Sequence, residues 1–334
     1  MSMQTKAISY AKLVRTYSLP FFLLVSFVLG ALSLYVLSFF KPPILPAFTE
    51  VRANLSQYHF TNPLLFYKSE QDIRYAPLKV DISKYITASK GDGNAENVSV
   101  YLRNMNTGEW TGINESDTYE PASMLKVTTM IAYFKRSSER PGILDQKLAF
   151  TPTNNLEETY RATDHPRPGA YSVSDLIYNM IVYSDNGALD SLATLDDGHT
   201  AEVFRLFELP IPTSTVTTDY MSARAYSRIF RVLYDSTYLP WDLSERALSL
   251  LSKTTFTQGI VAGVPAGTVV SHKFGERTLV SETGVVSARE LHDCGIVYKN
   301  NDPYFLCVMT RGSDFPKLQK IIADISRMTY NEIH

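Results

Sequence analysis

The spacing of apolar positions changes several times along the chain, and each change marks an element. Residues 16–40 hold no charged side chain, and residues 18–40 read SLPFFLLVSFVLGALSLYVLSFF. About 20 apolar residues cross a bilayer core as a helix, so this run predicts one transmembrane helix. It lacks the polar face of a helix packed on a soluble core. It is also longer than the roughly 7–15 apolar residues of a cleavable signal peptide, and it does not end in small residues. It therefore reads as an uncleaved signal anchor.

Beyond it, prolines at 42, 43, 46 and 63 suggest a stalk over residues 41–75. Apolar positions Val80, Ile82, Tyr85 and Ile86 predict a helix over 78–89, which the run Gly91-Asp92-Gly93-Asn94 stops. Residues 98–102 and 109–113 read as a hairpin around Asn106-Thr107-Gly108. Helical spacing then dominates over 123–134, 176–183, 223–233 and 244–251. Ser172 and Asp175 have the spacing of a capping box ahead of the second of these. Strand patterns return at 268–274, 294–298 and 304–310. A final helix starts behind Ser313 or Asp314 and has Phe315, Leu318, Ile321, Ile322, Ile325 and Met328 on one stripe. Two strands, a run of helices, three strands and a last helix predict an α+β domain. Its antiparallel sheet is flanked by the terminal helices, and the mid-chain helices form an all-α lobe.

Composition narrows the function. Of 334 residues, 45% are apolar and 12% aromatic, which excludes wholesale disorder. Two cysteines exclude a disulfide-rich scaffold. A net charge of −2 excludes a strongly basic nucleic-acid binder. The charge is uneven, since residues 1–41 hold Lys6, Lys12, Arg15 and Lys41 and no acid. Cations ahead of an apolar run keep the N-terminus cytoplasmic. The expected layout is a cytoplasmic tail (1–17), an anchor (18–40), a stalk (41–75) and an extracytoplasmic domain (76–334) at the cell membrane. No H-E-x-x-H, zinc-type Cys/His cluster or glycine phosphate loop occurs, so neither metal nor cofactor is expected. Cys294 and Cys307 are equidistant from the turn at Asn300-Asn301. They are either a cross-strand disulfide or a reduced core pair.

The candidate chemistry lies in three short motifs. In Pro-Ala-Ser-Met-Leu-Lys, Ser123 and Lys126 are three apart and share a helix face. A serine hydroxyl needs an adjacent base to act as a nucleophile, and a lysine with a lowered pKa can serve. S-x-x-K occurs three times, and the pairs Ser9/Lys12 and Ser38/Lys41 fall in or beside the anchor. Ser184-Asp185-Asn186 follows an apolar helix, and Lys273-Phe274-Gly275 follows a strand. S-x-x-K, S-D-N and K-T-G in this order mark class A β-lactamases and penicillin-binding proteins. Over residues 76–334 the chain resembles that superfamily of serine hydrolases.

The resemblance implies that Ser123 is the acylated nucleophile and Lys126 its base. It implies that Ser184 relays a proton to the leaving nitrogen and that Lys273 tunes it and attracts a substrate carboxylate. Asn186, Gly275 and Glu276 line the substrate, with the N–H groups of Ser123 and Glu276 as oxyanion donors. Asp185 is expected to brace its loop, and His272 to point away from the site.

Two departures matter. Phe274 stands where Thr or Ser is usual, which removes a hydroxyl donor; Arg277 and Arg311 are candidate replacements. The loop motif E-x-x-L-N, whose Glu activates the deacylating water, is absent, and Glu208 is the nearest candidate. Three functions stay open: a β-lactamase-like enzyme acting on β-lactams, a D-alanyl-D-alanine carboxypeptidase acting on peptidoglycan stem peptides, and a non-catalytic envelope binding module.

Overall fold

The computed structural model describes residues 27, 51–52, 60, 64–66, 73–153, 159–160, 166–212 and 218–333. The expected anchor, apart from residue 27, and the cytoplasmic tail fall outside them. Among the described residues no helix is long and apolar enough to cross a membrane.

Five antiparallel strands form the main sheet. They are β1 (Asn97–Asn104), β2 (Trp110–Ile113), β3 (Val269–Val280), β4 (Val286–Tyr298) and β5 (Tyr304–Gly312), in the spatial order β2-β1-β5-β4-β3. The two N-terminal strands and the three C-terminal ones thus join in one sheet, as the pattern predicts. Alternation along the strands divides the side chains between two cores. On β5, Tyr304, Leu306 and Val308 face α1 (Ala76–Gly91) and the C-terminal helix α8 (Phe315–Glu332). Phe305, Cys307 and Met309 face the helical lobe. Each fully buried Leu or Ile in such a layer contributes about 1.5–3 kcal/mol. The terminal helices also meet each other, with the Tyr85 hydroxyl donating to Asp324 Oδ2 at 2.7 Å. Asp314 is the residue that caps α8, accepting from the Lys317 N–H.

The lobe comprises α2 (Lys126–Glu139), α3 (Val173–Val182), α4 (Asn186–Ala193), α5 (His199–Leu206), α6 (Ala223–Tyr234) and α7 (Trp241–Leu251). The capping box of α3 is present, with Ser172 Oγ accepting from Asp175 N–H and Asp175 accepting from the Ser172 N–H. The short helix α4 is an addition to the sequence reading, since eight residues carry little periodic signal, while α5 takes up the helical pattern around Glu202.

β3 and β4 are longer than the apolar runs predict. Glu290, His292 and Asp293 interrupt the alternation in the sequence, yet all three are fully buried within β4. Each finds a polar partner across the sheet, so polarity does not exclude them. Cys294 pairs with Cys307 in register and the two are joined as a disulfide, which decides between the two expectations for them. Part of the expected stalk touches the domain. The Phe60 N–H donates to Glu245 Oε2 at 2.8 Å, and the Tyr298 hydroxyl donates to the Phe60 carbonyl at 3.2 Å.

Candidate active site

A cleft of about 990 Å³ brings the three motifs together. Its first wall is a 3₁₀ turn, Ala122–Leu125, leading directly into α2. Ser123 is half-buried on that turn, and Lys126, 2% exposed, is the first residue of the helix. The i to i+3 spacing works as expected: Lys126 Nζ donates to Ser123 Oγ at 2.9 Å. The same Nζ donates to the Ser184 carbonyl and, at 3.2 Å, to Ser184 Oγ. Three oxygens thus replace the water that burial removes from this amine.

Ser184 lies in the link between α3 and α4. Its φ is +58°, and Ala122, the neighbour of Ser123, has φ +47°. Left-handed backbone at a non-glycine residue costs about 1–3 kcal/mol and persists where the surroundings over-determine it. Asp185 supplies part of that constraint. Its carboxylate accepts from the Ala188 N–H at 2.7 Å and caps α4, which is the bracing role expected of it. Asn186 opens α4 and lines the cleft, half-buried.

The second wall is β3, an edge strand, so alternate residues direct backbone groups away from β4. Lys273 is fully buried; its Nζ donates to Ser184 Oγ at 2.9 Å and to the Phe274 carbonyl at 3.2 Å. Gly275 has a steric reason. A Cβ there would lie 2.6 Å from the Pro121 carbonyl and 3.1 Å from Met124 Cγ. Only a residue without a side chain lets β3 approach the Ser123 turn this closely. Glu276 lines the cleft, and its carboxylate accepts from the N–H groups of Thr159 (3.1 Å) and Tyr160 (2.9 Å).

Phe274 is 4% exposed and packs rather than binds. Its ring stacks on Phe256 at 4.3 Å, and Tyr160 meets it edge-on at 6.2 Å. Of the two candidate replacement cations, Arg277 lines the cleft, 3.5 Å from Glu120 Oε2. Arg311 is engaged elsewhere, with Asp219 and with Glu290 Oε1. His272 is buried against Asp293, with Nδ1 2.8 Å from Oδ1, away from the cleft as expected.

Glu208 is not among the cleft-lining residues. Its side chain is 83% exposed and its Oε2 is 4.0 Å from Arg228 Nη1. The chain leaves the cleft at the end of α5, and Arg228 holds the Glu208 carbonyl there. The cleft is bounded instead by Thr200 and Phe204 of α5. These two and Tyr160 are lining residues that motif spacing does not reveal. Asp196, Asp197 and His199 also come together at the start of α5. Asp196 accepts there from the N–H groups of Gly198 and Thr200, and Asp197 pairs with Arg136 at 3.0 Å. Those bonds account for the grouping as the start of a helix.

The Ser123–Lys126 pair and the Ser184–Lys273 pair thus meet between the helical lobe and the sheet edge, and the three motifs that carry the sequence resemblance share one cleft. Residues 77–333 match the β-lactamase enzyme family, and the chain belongs to that family. Among solved structures it resembles a mutant of PBP-A in an acyl-enzyme complex with penicillin G (TM-score 0.64, 19% identity, covering 79% of this chain and 98% of that one). It also resembles the TLA-3 extended-spectrum β-lactamase (0.65, 20%, 77% and 98%). A class A β-lactamase from Mycobacterium abscessus is similar at 0.60 (20%, 75% and 98%). At these identities the likeness is one of fold. No curated protein matches the chain.

Proposed function

We propose that this protein is a membrane-anchored serine hydrolase that forms an acyl-enzyme on Ser123 with β-lactams or related amides outside the cytoplasmic membrane. The observation that carries the reading is the 2.9 Å contact between Lys126 Nζ and Ser123 Oγ inside a cleft shared with Ser184 and Lys273.

In this reading Ser123 Oγ attacks the amide carbonyl carbon while its proton passes to Lys126; for this step Nζ is the neutral amine, its lone pair toward the Ser123 hydroxyl and its two hydrogens on the Ser184 oxygens. The N–H groups of Ser123 and Glu276 bind the resulting oxyanion, each worth on the order of 3 kcal/mol of barrier. The C–N bond then breaks. Ser184 gives its proton to the leaving nitrogen and recovers one from the lysines, leaving an ester on Ser123. Asn186 orients the amide side chain, and Gly275 sets the spacing of β3. Arg277 is the cleft-lining cation that takes over the carboxylate contact from the hydroxyl that Phe274 lacks. Residues 18–40 anchor the chain, supported by their apolar length and the cations before them.

The second reading, a carboxypeptidase on cell-wall stem peptides with slow β-lactam turnover, has its own support. Among the described residues the one carboxylate lining the cleft is that of Glu276, which already accepts from two backbone N–H groups. If that carboxylate stays engaged and no other base takes its place, water attacks the ester slowly. A mutant of PBP-A, similar in fold, is known as an acyl-enzyme complex with penicillin G.

Intact-mass spectrometry of the full chain mixed with penicillin G, beside Ser123→Ala, tests the reading. A Ser123-dependent adduct that clears as product accumulates supports the β-lactamase, and one that persists for hours supports the peptidase. Equal labelling of both chains, or no labelling of either, overturns the Ser123 assignment.

A further inference from the structure

The turn that carries Ser123 is attached to the sheet through a side chain that the chemistry above leaves unused. His292 lies on β4 and is fully buried. Its Nδ1 is 3.2 Å from the backbone N–H of Thr310 on β5, and its Nε2 is 3.1 Å from the carbonyl oxygen of Glu120. A backbone N–H can only donate and a carbonyl oxygen can only accept. The two contacts therefore select one tautomer, with the lone pair on Nδ1 and the proton on Nε2. A doubly protonated ring would set one N–H against another at Thr310. Burial acts in the same sense, holding the imidazole pKa down to about 3.

The charged groups around the ring leave this bond in place. Glu290 Oε2 is 3.9 Å from Nε2, too far to take its proton, while Glu290 Oε1 is held by Arg311. Tyr119 meets the ring edge-on at 5.2 Å and fixes its plane.

Glu120 precedes Pro121, Ala122 and Ser123. Ala122 sits at φ +47°, a conformation that an alanine keeps only where its flanks are held. On the far side the Tyr226 hydroxyl donates to the Met124 carbonyl at 2.9 Å. On the near side Tyr119 pairs with Met221, the Glu120 carboxylate takes the Ala122 N–H and Arg277, and His292 holds the Glu120 carbonyl itself. If that last hold is removed, Glu120 to Ala122 can relax toward ordinary backbone, and the Ser123 hydroxyl turns away from Lys126.

We propose that His292 is a positioning residue for acylation: its Nε2–H holds the Glu120 carbonyl and so preserves the strained Ala122 turn that aims Ser123 Oγ at Lys126. This rests on the reading that Ser123 is acylated.

The test is rapid-quench acylation of the full chain by a fluorescent penicillin, comparing the native protein with His292→Phe and His292→Gln. Phenylalanine keeps a ring against Tyr119 but has neither nitrogen; glutamine supplies both an N–H donor and an acceptor. The expected result is a limiting acylation rate at least tenfold lower in His292→Phe, with the half-saturating concentration within twofold of native. His292→Gln should recover most of that loss. A His292→Phe rate equal to native, or a loss shared by both variants, overturns the proposal. A long-range ¹H–¹⁵N spectrum of the native protein gives an answer even where His292→Phe does not fold. A proton on Nε2 alone supports the assignment, and a proton on Nδ1 overturns it. Failure of the native chain to acylate at all counts against Ser123 as nucleophile, and the spectrum then decides the His292 bond separately.

Discussion

Lys126 and Lys273 reach the same oxygen. One comes from the first turn of α2 and the other from edge strand β3, and Ser184 Oγ lies 3.2 Å from the first Nζ and 2.9 Å from the second. A hydroxyl has two lone pairs and one proton, so it can accept from both amines and still offer its hydrogen to a substrate nitrogen. Ser184→Ala should lower the rate of penicillin labelling by roughly 10²-fold or more, the usual contribution of a positioned proton donor. A labelling rate unchanged from native would remove Ser184 from the mechanism.

Gly275→Ala should leave the sheet paired and impair the chemistry. The added methyl would stand 2.6 Å from the Pro121 carbonyl, so β3 and the Ser123 turn must separate by several tenths of an ångström. Such misplacement can cost about 10²-fold in rate. The comparison to make is the labelling rate against the far-ultraviolet circular dichroism spectrum, with loss expected only in the first.

Glu208→Gln should clear its acyl-enzyme at the native rate, because the carboxylate is exposed beside Arg228 and outside the cleft. A deacylation rate at least tenfold slower, read by intact mass after removal of free penicillin, would restore Glu208 as a candidate base.

Stability should fall in mild acid, and His292 should contribute to the slope. Its pKa is 6.5 in an unfolded chain and about 3 when buried in the fold. Between those values the unfolded state binds the additional proton, so stability is complete above about pH 6.5 and declines as pH drops toward 3. The slope from one such group is about 1.4 kcal/mol per pH unit. Urea unfolding at pH 7 and pH 5 should show a smaller difference for His292→Gln than for the native chain. An identical difference would mean that the ring does not titrate in this way.

Cys294 and Cys307 are fully buried, so a mild reductant should leave the native protein intact. Reduction after unfolding should lower the stability of the refolded chain by about 2–4 kcal/mol, the usual range for a structural disulfide. Equal melting temperatures with and without the bond would contradict this.

Much of the architecture was legible in the sequence because it rests on local signals. Ser123 and Lys126 are three residues apart on one helical turn, and Ser172 with Asp175 marks a helix start in four residues. The stripe from Phe315 to Met328 identifies α8 unaided. The rest depends on partners distant in sequence. Glu290, His292 and Asp293 break the apolar alternation until Arg311, the Glu120 carbonyl and the Ile260 N–H supply their bonds in turn. Thr200 and Phe204 reach the cleft only because α5 packs on α2, a relation that spacing within α5 does not encode. Glu208 shows the same limit: its place along the chain after Asn186 suited a base, while in space its side chain is exposed beside Arg228 and does not line the cleft.

The cleft lies where two separately packed cores meet. Met124 and Val127, beside Ser123 and Lys126, belong to the core under the helical lobe. Phe274 and Val270, beside Lys273, belong to the core under the terminal helices. Two lysines share one oxygen across that seam, so the hydroxyl acts as a gauge of how the two layers are seated. A slip of half an ångström between them would break the shared contact while both interiors stayed dry and intact. Inactivation should therefore set in at lower denaturant than unfolding, and the acylation rate would be the more sensitive measure of whether the layers are in register.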